Sequence, residues 1–226
     1  MSRELVIAAY DSYLDWLDEI NKEVKITVYR KGEEPPQRKD EIQIEPNKGR
    51  CVHTFFNHIY QNYDNLADYT FFAQDYPFDH WENVIDVVND KNPETYEKQA
   101  QMKIGGYYGY HFNTITVPSL KGGIMWNLSL SRQHGNGRVL VCNSDGSPQD
   151  ANPLIDVDSY WEKLFTSEKP SEYEFMPGGH FGISKEHAQL RSKTFYKEII
   201  DLLLQDINAP WVIERLECYI FNPNFK

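Results

Sequence analysis

Apolar residues in the first part of the chain recur with two different spacings, which predicts strands and helices in alternation. Residues 4–10 (ELVIAAY) form a short apolar run that is typical of a buried strand. Asp11-Ser12 predicts the start of a helix that continues to about residue 21, and residues 24–29 (VKITVY) predict a second strand. A strand, a helix and a strand in this order predict a right-handed parallel unit.

The following stretch continues the alternation and ends in acidic side chains. Residues 47–50 (NKGR) have turn chemistry, and apolar residues recur at helical spacing over residues 52–63. Residues 69–73 (YTFFA) predict a strand covered on both faces, and Asp75 and Asp79 follow its carboxyl end. Ligands of open α/β sheets bind beyond the carboxyl ends of strands and near helix N-termini, so this stretch predicts the binding site.

The segments on either side of this stretch are less regular. Residues 31–46 are charged and rich in proline, which predicts a surface loop, whereas residues 80–89 and 93–103 predict short helices. Glycines and tyrosines dominate residues 104–137, which predicts mobile loops around one or two short strands. This segment is either a lid over the site or an irregular surface lobe.

The last part of the chain contains one more predicted strand and three predicted helices. Residues 139–142 (VLVC) predict the strand, and residues 161–165 predict a short helix. Ser184 predicts the cap of a long helix over residues 185–205, and residues 210–216 predict a final helix that begins with proline.

The order of these elements predicts an α/β fold built as one domain over residues 1–226. We expect a mostly parallel central sheet that is flanked by helices and followed by a looser C-terminal half. Residues 1–90 form the more regular half, and residues 91–226 form the looser half.

The composition of the chain limits the kinds of partner that the protein can bind. The formal charge of −11 argues against a general nucleic-acid surface, because binding of many phosphates needs a basic face. No apolar run is long enough to span a membrane, and no basic and apolar leader opens the chain. The three cysteines are widely spaced, which is typical of reduced thiols. These features predict a cytoplasmic protein without a membrane span or a nucleic-acid partner.

Two resemblances rest on particular residues. The pattern of turn, helix, strand and acidic residue across residues 47–75 resembles the donor-binding half of GT-A glycosyltransferases, and residues 178–185 (GGHFGISK) resemble a second signature of that family. The chain as a whole is similar to the uncharacterised DUF3431 family. The pieces that match DUF3431 are Trp16-Leu17, residues 47–50, residues 63–66, the strand before Asp75 and residues 180–184.

The GT-A resemblance implies that residues 1–90 form a nucleotide-binding half and that residues 91–226 form an acceptor- and sugar-binding half. The first half would contain a site for the nucleotide part of a nucleotide-diphosphate sugar. Asn47, Gly49 and Arg50 would hold the diphosphate, since glycine permits close approach of the backbone and arginine offers a fork of donors. Tyr10 and Asp11, after the first strand, would seat the nucleoside. The alternatives are an ordinary turn at residues 47–50 and a helix cap at Asp11.

The same resemblance implies a sugar pocket and a metal. Gly178, Gly179 and His180 would wall the sugar, and Asp75 and His180 would hold Mn²⁺ or Mg²⁺. The family's D-x-D motif is incomplete, because Ala73 stands at its first position. One aspartate suffices where phosphate oxygens and water complete the shell. Alternatively, Asp75 caps the following helix and His180 is structural.

The catalytic base is predicted to be Asp79 or Glu214, each of which can accept a proton from an acceptor hydroxyl. Asp79 alternatively caps the helix predicted after it, and Glu214 alternatively pairs with Arg215.

The sequence therefore predicts a glycosyltransferase that uses a nucleotide-diphosphate sugar, UDP-sugar by preference, and a glycan or small acceptor. Two other functions stay open, a non-catalytic glycan-binding module and a nucleotidyltransferase. The latter would need a loop rich in Gly, Lys and Arg after the first strand, where this chain has Ala8, Ala9, Tyr10 and Asp11.

Overall fold

A computed structural model describes most of the chain. The described residues are 1–10, 13–32, 35–44, 48–100, 102–104, 107–110, 114–116, 125–127, 131–133, 136–138, 154–171, 173–176 and 179–226. Predictions at Asp11-Ser12, Asn47, Gly178 and residues 139–142 lie outside them.

Strands and helices alternate along the described chain. The strands are β1 Arg3–Ala9, β2 Val24–Arg30, β3 Ile42–Gln43, β4 Tyr69–Gln74, β5 Met102–Ile104, β6 Tyr107–Gly109, β7 Thr114–Thr116, β8 Met125–Asn127, β9 Ser131–Gln133, β10 Asn136–Arg138, β11 Leu154–Asp156, β12 Tyr173–Phe175 and β13 Phe181–Ser184. The helices are α1 Arg50–Gln61, α2 Val84–Asn89, α3 Pro93–Gln99, α4 Val157–Leu164, α5 Lys185–Ala188, α6 Lys193–Gln205 and α7 Ala209–Ile220. Short 3₁₀ helices cover Asp15–Glu19 and Pro77–Asp79.

A seven-stranded mixed sheet in the order β3-β2-β1-β4-β13-β6-β5 organises the fold. The first four strands of this order are parallel to their neighbours. β13 is antiparallel to both β4 and β6, and β5 is antiparallel to β6. Five of the seven strands therefore run in one direction, and helices cover both faces. The predicted α/β class with a mostly parallel sheet is confirmed.

The two central strands are buried on both faces, as their continuous apolar runs predict. Along β1, Leu5 and Ile7 pack against the layer of α2, α3 and the first 3₁₀ helix, whereas Val6 packs against the layer of α1, α6 and α7. In β4, Phe71 and Phe72 divide between the same two layers. This alternation gives three layers with the sheet in the middle.

The path of the chain creates a topological switch point between β1 and β4. From β1 the chain moves outward to β2 and β3, and α1 then carries it back to β4 on the other side of β1. The carboxyl ends of β1 and β4 are neighbours, and the connections that follow them diverge. Open α/β sheets bind ligands in the crevice that such a reversal opens.

The single long helix predicted after Ser184 is wrong, because the chain forms two helices there. The Ser184 hydroxyl accepts a hydrogen bond from the His187 N–H and caps α5, and Ser192 caps α6 in the same way. Between them, the Arg191 guanidinium donates to the carbonyl oxygen of Ile220 at 2.8 Å. The break between α5 and α6 therefore provides a hydrogen-bond donor for backbone oxygens at the end of α7.

Other segments contain more sheet than the sequence predicts. The predicted loop over residues 31–46 contains β3, and the glycine-rich segment contains the short strands from β6 to β10. Residues 181–184 form β13, which pairs with β4 inside the central sheet. The helix predicted to end near residue 103 stops at Gln99, and β5 follows it. Partners distant in sequence stabilise several of these strands, such as β9 and β13, so local periodicity does not reveal them.

Candidate functional site

Asp75 lies at the switch point and joins the ends of the two central strands. Its Oδ2 accepts a hydrogen bond from the backbone N–H of Tyr10 at 2.8 Å, and its Oδ1 accepts one from the N–H of Tyr76 at 3.0 Å. The indole N–H of Trp16 donates to the backbone oxygen of Asp75 at 2.8 Å. Two predicted site residues, Tyr10 and Asp75, are therefore in direct contact.

The two tyrosines whose backbone N–H groups bind this carboxylate are half-exposed. Tyr10 is 51% exposed and Tyr76 is 53% exposed. The Tyr10 ring packs on Gly32, where a Cβ atom would lie 2.9 Å from the ring. The Tyr76 ring meets Phe78 edge to face at a centroid distance of 5.4 Å. Half-exposed rings that pack on the protein in this way offer flat apolar surfaces.

The turn that leads into α1 has an unusual backbone. Gly49 has φ of +72° and Arg50 has φ of +53°, so two consecutive residues lie in the left-handed region. The ammonium group of Lys31 donates to the carbonyl oxygens of Lys48 and Arg50, the latter at 2.8 Å. It also lies 3.2 Å from Nδ1 of His53. A left-handed arginine is strained, and Lys31 holds the carbonyl groups on both sides of Gly49 in place.

Lys31 links this turn to the switch point. Its backbone N–H donates to the carbonyl oxygen of Ala9, the last residue of β1, at 2.9 Å. The side chain is buried, and burial lowers the pKa of the ammonium to about 8. Lys31 is therefore still mostly charged at neutral pH, and it places a positive charge between β1 and the start of α1.

Arg50 adds a second positive charge at the same end of α1. Its guanidinium carbon lies 4.5 Å from the ring centroid of Trp211, at the start of α7. Stacking on an indole orients the plane of the guanidinium. The first N–H groups of an α-helix have no partner within the helix, and Gly49 provides no side-chain cap. The end of α1 thus favours negative charge.

Gly179 and His180 approach the same edge from β13. Gly179 has φ of +64°, and a Cβ there would lie 3.9 Å from Sγ of Cys51 in the first turn of α1. Because Phe181 pairs with Phe72, His180 stands beside the last residues of β4. The His180 ring is only 1% exposed and lies 5.8 Å from the ring of His80 between centroids.

Glu214 lies on α7, which packs against α1. Its Oε1 is 3.5 Å from Nη1 of Arg215, and both side chains are largely buried. The ion pair considered as the alternative for Glu214 is therefore present. Its negative charge adds to burial in raising the pKa of Cys51 to about 12, so Glu214 faces the first turn of α1.

One turn further along α7, Glu217 is 1% exposed, and neither of its carboxyl oxygens has a hydrogen-bond partner in the part of the chain that the structure describes. Burial and the nearby Glu214 raise the pKa of Glu217 well above its ordinary value. These surroundings therefore favour the protonated form of the carboxyl group.

A metal centre made by the protein alone does not form among the described residues, since no three His, Cys, Asp or Glu side chains converge there. Asp75 nevertheless fits a cation that phosphate groups largely coordinate, because each carboxylate oxygen has more than one lone pair. Asp79 ends the 3₁₀ helix Pro77–Asp79, and its side chain is not among those that the structure describes.

A model of the family described as "Protein of unknown function (DUF3431)" matches residues 5–225. The chain belongs to the DUF3431 family. No curated protein and no solved structure gives a significant match. No helix among the residues described above is long and apolar enough to cross a membrane.

In this DUF3431 protein, several of the sequence pieces that suggested the family meet at one edge of the sheet. Trp16 contacts Asp75, residues 48–50 enter α1, and residues 180–184 begin beside the end of β4. Sequence reasoning missed Lys31 and Tyr76. Lys31 directly follows the end of β2, and Tyr76 directly follows Asp75. Their positions after predicted strands were the available signal.

Proposed function

We propose that this DUF3431 protein is a glycosyltransferase with a GT-A-type donor site. It transfers a sugar from a nucleotide diphosphate, UDP by preference, to a hydroxyl group of a glycan or another acceptor. The observation that carries the proposal is the contact between Tyr10 and Asp75 at the switch point, beside the positively charged start of α1.

The reaction requires stabilisation of the leaving diphosphate. Arg50 and Lys31 supply positive charge, and the N-terminal N–H groups of α1 supply donors that need no rearrangement. The whole chain carries a formal charge of −11, so the attraction must be local. Tyr10 and Tyr76 offer flat surfaces for the base or the sugar ring.

Mn²⁺ or Mg²⁺ is part of the proposal. Asp75 would hold the ion together with phosphate oxygens and water, and the ion would neutralise charge on the diphosphate. His180 was the second ligand expected from the sequence. Its ring is buried against His80 and Trp81, so it would have to leave these contacts to reach a ligand at the surface.

For the base, we favour Asp79 over Glu214. The carboxylate of Glu214 already pairs with Arg215, which competes with an acceptor hydroxyl for the same oxygens. Asp79 ends the 3₁₀ helix directly after Asp75, so the chain keeps it close to the switch point. A base must lie within hydrogen-bond reach of the proton it takes.

A non-catalytic glycan-binding module is the second candidate. It is favoured by the hydrogen bonds of Asp75, because both carboxylate oxygens already accept hydrogen bonds from backbone N–H groups. The exposed rings of Tyr10 and Tyr76 would then be the binding surface. This candidate predicts that affinity for glycans survives the loss of the Asp75 charge.

Thermal unfolding with UDP, GDP and their sugar derivatives, with and without Mn²⁺, tests the proposal. A ligand at a hundredfold excess over its Kd stabilises the folded state by about 2.7 kcal/mol. We expect stabilisation by a nucleotide that Arg50→Ala reduces and that Arg38→Ala leaves unchanged, since Arg38 pairs with Asp18 on the surface. Release of free UDP or GDP in the presence of acceptor then measures transfer.

Three outcomes separate the candidates. Nucleotide binding with turnover supports the transferase. Stabilisation by glycans without any nucleotide effect supports the binding module instead. Stabilisation that does not depend on Mn²⁺ removes the metal from the proposal but leaves the donor site.

A further inference from the structure

A cavity of about 360 Å³ lies between α1, α6 and the end of β3, and His53 is the residue that it shares with the site described above. His53, Asn57 and Gln61 line it from α1, and Ile200 and Leu204 line it from α6. These positions form one face of each helix, because they recur at helical spacing. Its volume falls within the range of small-molecule sites.

The buried polar group of this cavity is His53, which is 3% exposed. The ammonium group of Lys31 lies 3.2 Å from its Nδ1. An ammonium group has only donors, so Nδ1 is the acceptor and the ring proton resides on Nε2. Lys31 thereby fixes the tautomer of His53, and the ring offers an N–H as its remaining polar group.

The side of the cavity that α1 and the end of β3 form carries no charge. Burial, together with the neighbouring Lys31, lowers the pKa of His53 to about 4, so the ring is neutral at physiological pH. Lys197, the cationic residue among those lining the cavity, forms an ion pair with Asp201 one turn along α6. The other polar groups of the lining are the side-chain amides of Gln43, Asn57 and Gln61 and the hydroxyl group of Tyr60.

Neutral amides and an imidazole N–H suit hydroxyl groups better than they suit ions. Each amide both donates and accepts, as a hydroxyl group does, whereas an ion would lose its hydration without a compensating charge. Ile200 and Leu204 provide an apolar surface opposite these groups. A ligand that is apolar on one face and rich in hydroxyl groups at its rim matches this arrangement.

We propose that this cavity binds a small uncharged molecule rich in hydroxyl groups, of the size and chemistry of a monosaccharide. The His53 N–H and the amides of Asn57 and Gln61 hold its hydroxyl groups, and the side chains from α6 cover its apolar face. This site is separate from the proposed donor site and does not depend on glycosyl transfer.

Ligand-observed NMR with the intact chain tests the site with D-glucose, D-galactose and D-mannose as probes. D-glucuronate and D-glucosamine are matched controls, because they keep the ring and add a charge. We expect a neutral hexose to bind with a Kd in the millimolar range, and both charged sugars to bind at least tenfold more weakly. Excess UDP leaves the hexose bound, because the two sites differ.

Variants locate the binding. Asn57→Ala and Gln61→Ala should each weaken hexose binding several-fold, while Glu198→Ala, on the exposed side of α6, should not change it. Thermal unfolding confirms that each variant is folded. The proposal is overturned if no neutral hexose binds or if a charged sugar binds more tightly. It is also overturned if UDP displaces the hexose, or if neither Asn57→Ala nor Gln61→Ala weakens hexose binding.

Discussion

The backbone N–H of Tyr10 donates a hydrogen bond to the carboxylate of Asp75, 2.8 Å away, and so ties the end of β1 to the end of β4. The N–H of Tyr76 donates to the other carboxylate oxygen at 3.0 Å. Asp75 therefore organises the backbone at the switch point whether or not a ligand is present. It also fixes the backbone positions of Tyr10 and Tyr76, two half-exposed tyrosines.

Replacing Asp75 tests this structural role separately from ligand binding. Asp75→Asn keeps the shape but puts an amide donor against one of the two backbone N–H groups. We expect the free energy of unfolding to fall by about 1–3 kcal/mol in urea titrations, since a charged acceptor is lost. Asp40→Asn, at an exposed position, is the control and should change stability by less than about 0.5 kcal/mol. Equal stability of the two variants would contradict the role.

Gly49 and Gly179 differ in a way that a pair of alanine variants can measure. Both residues have positive φ, so alanine is strained at each position. At Gly49 the new Cβ would also lie 2.6 Å from Cβ of His53, whereas at Gly179 the nearest atoms are 3.9 Å away. We expect Gly179→Ala to cost about 1 kcal/mol and Gly49→Ala clearly more. Urea titration of both variants provides the comparison, and a larger cost at Gly179 would argue against the described turn.

Glu217 predicts a specific dependence of stability on pH. Its pKa is raised in the folded state, so above its ordinary value of 4.5 the unfolded chain releases a proton that the folded chain retains. The contribution of Glu217 is full below that pH and is lost as the pH rises through the raised pKa. Glu217→Gln removes this titration.

We therefore expect the wild type to lose more stability than Glu217→Gln as the pH rises above about 5, as measured by urea titration at each pH. All other titrating groups are shared, so the difference between the two profiles reports on Glu217. The free energy of unfolding of Glu82→Gln, a change at an exposed position, should depend on pH in the same way as that of the wild type. Parallel profiles for Glu217→Gln would show that the carboxyl titrates normally.

Lys31 should stabilise the turn before α1. Lys31→Met leaves the carbonyl oxygens of Lys48 and Arg50 without this donor, and we expect a loss of about 1–3 kcal/mol. The same change removes a charge that lowers the pKa of His53, so that pKa should rise above about 4 in an NMR titration. Lys39→Met, on the exposed surface, should change neither quantity. An unchanged His53 titration would contradict the contact.

The amino-acid sequence revealed the elements whose signals are local and continuous. The apolar runs of β1 and β4 and the helical periodicity of α1 were sufficient, because a strand buried on both faces and an amphipathic helix each have a distinct pattern. The same reasoning predicted that Asp75 follows a strand end. It did not reveal β13, whose four residues resemble an irregular loop until they pair with β4.

The amino-acid sequence was sufficient for the α/β class, the family and the residues that follow the carboxyl ends of the central strands. Which of those residues meet depends on the tertiary fold. Tyr10 and Asp75 are far apart in the chain, and Lys31 reaches the turn at Gly49 from the end of β2. Such contacts depend on strand order and on burial, which are properties of the whole sheet, and no local pattern of side chains specifies them.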